Sequence, residues 1–234
     1  MRPTRYLRLT LASARLRVRG ERPAHFLHIG KCAGTAVKQA FIDAPEPTEY
    51  HVVMHTHGIR MIDLPRGDKF FFVVRDPVDR FVSGFSSRLR EDAPRFRSPW
   101  TPAEARAFAI FSTPNDVGLA LAGSGEERAA AAGVLRSIEH VRTSYWDWFA
   151  NPAAVRRREG DILWIGFQET LDVQIADLAK SLGVPELRLP AEHAAANRSQ
   201  PGNDLTPTAR EALADWYGRD YEFLALCHEL VAHR

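Results

Sequence analysis

Lys31 stands in a glycine-flanked turn, HIGKCAGTAV (28–37), with Gly30 before it and Gly34-Thr35 three residues on. The turn follows the apolar run FLHI and precedes a helical stretch. Helix-start N–H groups, a full positive charge and a hydroxyl would converge there, which is chemistry for an anion. The spelling is not that of a Walker A loop, G-x-x-x-x-G-K-[ST]. His25 stands five residues before Gly30, and Cys32 occupies the place of the magnesium-binding Ser or Thr. The chain holds only four lysines among its 31 basic side chains, so a lysine here reads as a chosen point charge rather than a fork. An ordinary βα turn with a surface lysine is the plain alternative.

A second junction has similar chemistry. Arg75 closes the apolar run FFFVV and opens RDPVDRFVSGF. Asp76 can cap a helix whose first residue is Pro77, and Ser83 lies two turns in. A long Arg and a Ser hydroxyl could share one phosphate there, or Arg75–Asp79 and Asp76–Arg80 could be surface pairs. A P-loop kinase would need an Asp at the end of such a strand to support magnesium. This strand ends in Arg, and DILWIGFQE (161–169) supplies no such Asp. Two cationic sites without evident magnesium ligands suit a nucleotide carrying two separate phosphates. Between the junctions lies HTHG (55–58), whose two histidines could be structural. Half a metal site is the competing reading, although no nearby Cys or carboxylate cluster completes it.

The elements that must position these residues follow from hydropathy. AHFLHI (24–29), HVVM (51–54), DKFFFVV (68–74) and DILWIGF (161–167) read as strands, and 35–41 begins a helix. Phe81, Phe85 and Leu89 form a stripe at i, i+4, i+8. Residues 94–160 read as helical, with SYWDWF as a packed aromatic turn or a ligand platform. LDVQIADLAKSLGV and the C-terminal LTPTAREALADWYGRDYEFLALCHELV are helical, the latter with Thr206 or Thr208 near its start. HAAANRSQPGN (193–203) reads as a polar loop. Strands alternating with helices predict an α/β fold: a single domain with a central parallel sheet flanked by helices.

The net charge is +2, so there is no polybasic case for nucleic acid. Residues 1–22 carry seven Arg and one Glu, which leaves −4 on the remainder. This basic N-terminal segment (1–22) is read apart from a main domain spanning 23–234. Leu7, Leu11, Ala14 and Val18 fall on one face of a helix in it. The segment is a first helix or basic tail, or a peripheral anchor on an anionic membrane or acidic partner. Arg88, Arg90, Arg95 and Arg97 raise the same question of an acidic partner. Cys32 and Cys227 suggest no disulfide framework. Together with the lack of an apolar run long enough to cross a bilayer, they lead us to expect a cytoplasmic, bacterial protein.

FLHIGKCAGTAV resembles the 5′-phosphosulfate loop of sulfotransferases that use 3′-phosphoadenosine 5′-phosphosulfate (PAPS), commonly F-x-H-x-P-K-x-G-G-T. It departs at Gly30 for Pro and at Ala33 for Gly. VVRDPVDRFVSGF is similar to their 3′-phosphate motif, R-[DN]-P-x-x-R-x-x-S. WIGFQETLDVQIADLAKSLGV, HAAANRS and LTPTAREALADWYGRDYEFL resemble the carbohydrate, uronyl 2-O-sulfotransferase-like branch. The resemblance implies a P-loop-like sulfotransferase fold, PAPS as co-substrate without a metal, and a hydroxyl-bearing acceptor, in that branch a carbohydrate. It implies that Lys31, Cys32, Ala33, Gly34, Thr35 and Ala36 hold the 5′-phosphosulfate, with Lys31 also stabilising the leaving oxygen. It assigns Arg75 and Ser83 to the 3′-phosphate, His57 to the base, His55 to its neighbour, and Asn197, Arg198 and Ser199 to a loop over the nucleotide. Glu49 and Asp63 are the fallback bases. A P-loop-type kinase and a non-catalytic binder of nucleotides or anionic glycans are the alternatives.

Overall fold

Alternation of side chains along a strand requires a strand buried on both faces to be apolar at every position. KFFFVV is the clearest instance. In the computed structural model, which describes residues 3–42, 44–93, 97–191 and 204–233, it forms β3 (Lys69–Val74). It joins β2 (His51–Met54), β1 (Pro23–Leu27) and β4 (Ile162–Phe167) in an all-parallel sheet ordered β2-β1-β3-β4, with β1 and β4 as its neighbours. Phe71 faces α2 (Gly34–Ile42), meeting Phe41 at 6.2 Å between ring centroids. Phe72 faces the other way, 4.6 Å from Phe149 and 6.2 Å from Phe223. Phe71, Phe72, Phe149 and Phe223 are fully buried, and losing such a ring costs about 3–5 kcal/mol.

The expected α/β fold is present, with helices flanking the parallel sheet. Its chain divides into two compact units. The first comprises Met1–Arg75, Tyr145–Asn197 and Phe223–Arg234. It holds the sheet together with α1 (Pro3–Val18), α2, α7 (Trp146–Phe149), α8 (Pro152–Arg157) and α9 (Leu171–Leu182). The aromatic run is packed core: Tyr145, Trp146, Trp148 and Phe149 are all buried. The segment between β2 and β3 is tied down by Arg158, which donates to the carbonyls of Met61, Leu64 and Pro65 at 3.3, 3.1 and 2.9 Å.

The second unit, Asp76–Ser144 with Arg198–Glu222, is helical in its described residues. It contains α3 (Pro77–Leu89), α4 (Pro102–Ile110), α5 (Pro114–Ala122), α6 (Gly125–Ser137) and α10 (Pro207–Trp216), and α11 (Gly218–Ala232) begins in it. The stripe expected on α3 is inward: Phe81 and Phe85 are buried and Leu89 packs beside them, with Val117, Leu121, Leu135 and Leu213. Thr206, rather than Thr208, caps α10. The C-terminal helical stretch is broken at Tyr217 into α10 and α11. Arg88 is not an open basic residue. It is buried and grips Glu104 through Nε and Nη2 at 2.8 and 2.9 Å, with Asp92 on Nη1 at 2.6 Å. Burial alone would raise the Glu104 pKa. The bonds from Arg88 and from the N–H groups of Thr101 and Glu139 outweigh it and pull the pKa down to about 2. Arg97 lies 3.5 Å from Glu91, and Arg95 is outside the described residues.

Candidate active site

In a parallel sheet all strands end on the same edge, which is where open α/β folds bind their ligands. Here β1, β2 and β3 deliver His28, His55 and Arg75 just beyond their last residues. The turn after β1 is tight. Lys31 and Ala33 both have left-handed backbone, with φ of 66° and 56°. Such a conformation costs a non-glycine residue on the order of 1–3 kcal/mol and is found at functional loops. Val37 N–H makes the first α2 bond, to the Ala33 carbonyl at 3.1 Å. The N–H groups of Gly34, Thr35 and Ala36 thus precede any acceptor within the helix. Thr35 is exposed and Lys31 half-buried at this helix start. Cys32 is buried, with its thiol 3.6 Å from both the Gly30 carbonyl and the Tyr145 hydroxyl. Only its backbone therefore remains as an anion ligand.

Gly34 has a packing reason as well. A Cβ there would lie 2.0 Å from Cδ2 of His28, so only glycine lets α2 start against that ring. The His28 ring stacks on Phe26 at 5.8 Å and approaches the His57 ring to 3.9 Å. His57 Nδ1 is 3.0 Å from the His28 carbonyl. A carbonyl can only accept, so Nδ1 carries the proton in this bond and the lone pair of a neutral imidazole falls on Nε2. Trp148 Nε1 donates to the His57 carbonyl at 3.0 Å, and Arg5 Nη1 to the next carbonyl, Gly58, at 2.5 Å. The exposed His57 thus sits on a backbone held from two sides.

His55 and His57 do not form the two arms of one site. His55 is buried, and its Nε2 lies 2.9 Å from His25 Nδ1. His25 Nε2 lies 3.0 Å from Asp68 Oδ2, and Arg17 closes the chain on Oδ1. With Asp68 ionised the protons order themselves: His25 donates to Asp68, and His55 donates to His25. Burial would raise the Asp68 pKa, but the His25 bond and the Arg17 charge help to hold it below the ordinary value. Burial, with His25 and Lys38 nearby, pushes His55 down to about 3. Lys38 Nζ also donates to the His55 carbonyl at 2.5 Å, and its own pKa is lowered by burial.

Arg75 is fixed by one hydroxyl. Tyr145 Oη accepts from Arg75 N–H at 3.0 Å and donates to the Arg75 carbonyl at 2.6 Å. The guanidinium Nε is buried and has no hydrogen-bond partner among the described residues. A buried charged donor without a partner is costly and points to a missing acceptor. Asp76, Asp79 and Arg80, from the surface pairs considered for this motif, have partners elsewhere. Asp79 meets Arg210 at 3.0 Å, and Arg80 is buried with Asp220 at 3.7 Å and the Thr143 carbonyl at 2.6 Å. Asp76 does cap α3, accepting from Asp79 N–H at 2.9 Å, with Pro77 first in the helix.

The first unit thus brings together Lys31, Cys32, Ala33, Gly34, Thr35, Ala36, His55, His57 and Arg75 at one sheet edge. Ser83 is half-buried on α3 of the second unit, and Arg198 lies outside the described residues, as do Asn197 and Ser199. Of the fallback bases, Glu49 precedes β2 and so lies at the amino ends of the strands, next to Arg22 at 3.7 Å. Asp63 is buried and accepts from Arg60 N–H at 3.0 Å. Two residues escaped the reading of the sequence. His28 stands three residues before Lys31, inside the loop motif, and its type was the available signal. Tyr145 is 70 residues from Arg75 and carries no local signal.

Among the described residues, no helix is long and apolar enough to cross a membrane. Comparison with curated proteins gives no match. Residues 14–116, a stretch that contains the Lys31 turn, His55, His57, Arg75 and Ser83, match the model of the sulfotransferase family, which supports a sulfotransferase family for this chain.

Proposed function

We propose that this protein transfers the sulfuryl group of PAPS to a hydroxyl of a carbohydrate acceptor. The observation that carries the reading is the buried Nε of Arg75, unpartnered among the described residues and one strand away from the Lys31 helix start. A nucleotide with a phosphosulfate at one end and a separate 3′-phosphate would engage both. When bound, PAPS supplies the activated sulfuryl group.

The roles of the chain's own residues follow from their chemistry. The first-turn N–H groups of α2, with Lys31 and Thr35, would hold the 5′-phosphosulfate. Lys31 offsets negative charge on the oxygen that leaves, an interaction that matters most in the transition state. Arg75 takes the 3′-phosphate, and Ser83 is assigned to the same group by the R-D-P motif. His57 receives the acceptor's proton at Nε2, because its Nδ1–H is engaged by the His28 carbonyl. His55 acts as a positioning residue through the backbone leading to His57. Arg198 is assigned to closing over the nucleotide. The carbohydrate acceptor rests on the H-T-H stretch and on the C-terminal resemblance.

Isothermal titration with adenosine 3′,5′-bisphosphate, 5′-AMP and ATP–Mg tests the reading. Tight binding of the bisphosphate alone, with sulfate transfer from PAPS to a carbohydrate in an acceptor panel, is the expected result. Preference for ATP–Mg would make the protein a kinase. Bisphosphate binding without transfer to any acceptor would leave a non-catalytic binder.

A further inference from the structure

Helix α1 turns its most apolar stripe to solvent. Leu7, Leu11, Ala14 and Val18 recur at i, i+4, i+7 and i+11, a continuous line along one helical face. The helix rests on the first unit through the opposite side. Leu9 packs against the core, Ser13 is buried, Arg17 pairs with Asp68, and Arg5 donates to the Gly58 carbonyl. The leucine stripe is left uncovered, with Leu7 59%, Leu11 53% and Val18 88% exposed. Arg8 and Arg15 are exposed beside it, and Arg19 follows at its end.

This combination selects the occupant. An apolar line flanked by guanidinium groups matches a surface that is anionic at the headgroups and apolar beneath them. A second copy of the chain would bring its own seven-arginine segment against this one, and like charges oppose that pairing. We propose that α1 docks the protein on an anionic lipid surface, with Leu7, Leu11 and Val18 at the acyl boundary and Arg8, Arg15 and Arg19 among the headgroups. The inference stands apart from the reaction, since none of these residues belongs to the candidate active site.

Co-sedimentation of the full chain with phosphatidylcholine vesicles, with and without phosphatidylglycerol, tests it at about 0.1 M salt. The expected result is partition onto the phosphatidylglycerol vesicles that weakens as salt is raised. Replacing Leu7→Gln and Leu11→Gln together should lower that partition about tenfold or more. Arg8→Gln with Arg15→Gln should lower it and flatten the salt dependence. Both pairs lie on the exposed face, so both variants should melt at the wild-type temperature. Three outcomes would overturn the proposal. One is no preference for anionic vesicles. A second is undiminished binding by the leucine variant, which would place the interaction on charge elsewhere. The third is a dimer in analytical ultracentrifugation that the leucine variant dissolves, with no vesicle binding, which would assign the stripe to a second copy.

Discussion

The imidazole rings of His28 and His57 lie 3.9 Å apart between centroids, tilted by 46°, with His57 Nδ1 on the His28 carbonyl. One residue thus supplies both the ring that flanks the proposed base and the acceptor that sets its tautomer. His57→Ala should lower kcat by about 10²–10⁴ while leaving bisphosphate affinity within about twofold. Steady-state kinetics alongside titration of the nucleotide measures both. Near-normal kcat in this variant would move the base elsewhere. Gly34→Ala drives a methyl into the His28 ring and should lower kcat through displacement of His57.

Lys31 is proposed to meet charge that grows only as the bridging oxygen leaves. Lys31→Ala should therefore reduce kcat by about 10²–10³, with a smaller change in donor affinity. A variant whose sole defect is a raised KM for PAPS would make Lys31 a ground-state ligand.

Arg75 is expected to read the phosphate that distinguishes the bisphosphate from 5′-AMP. Arg75→Ala should weaken the bisphosphate about tenfold or more and barely change 5′-AMP. Ser83→Ala should act in the same direction and more weakly. Tyr145→Phe removes the hydroxyl that serves both backbone groups of Arg75, so it should mimic the Arg75 variant in part and cost about 1–3 kcal/mol of stability. Equal weakening of both nucleotides would detach Arg75 from the 3′-phosphate.

Ala33 occupies a left-handed position, where the loops it resembles place glycine. Ala33→Gly should raise stability by about 0.5–1 kcal/mol, read from urea denaturation, because the strain of the methyl group exceeds the added freedom of the unfolded chain. A loss of stability would mean that the loop draws on the Ala33 side chain for packing.

The buried His55 predicts acid sensitivity. Its folded pKa of about 3 lies below the ordinary value of 6.5, so the unfolded chain binds the extra proton first. Stability is then full above pH 6.5 and falls as pH drops toward 3, by up to about 1.4 kcal/mol per pH unit. Denaturation midpoints at pH 7 and pH 5 measure that slope. His55→Phe should flatten it, whatever its effect on absolute stability. An unchanged slope would assign the acid response to other groups.

Local chemistry made much of this molecule legible. Short apolar runs bounded by turn residues read as strands, so β1 to β4 were readable to within about two residues. Asp76 and Pro77 wrote the start of α3, and the glycine-flanked Lys31 marked the tight turn before α2. Hydropathy also showed a leucine line on α1, but periodicity has no sign: it tells which residues share a face and not which way that face turns. Only packing against Leu9, Ser13 and the Arg17–Asp68 pair decided that. Nor did the sequence tell which histidine of H-T-H is buried. β2 ends at Met54, so His55, the next residue, enters the buried chain with His25 and Asp68, and His57, two residues on, lies in the exposed turn under Trp148. Tyr145 reaches Arg75 across 70 residues of sequence because the strand ends and the α7 aromatic cluster share one core. Contacts of that separation leave no local trace, since each partner satisfies its neighbours' propensities equally well without the other.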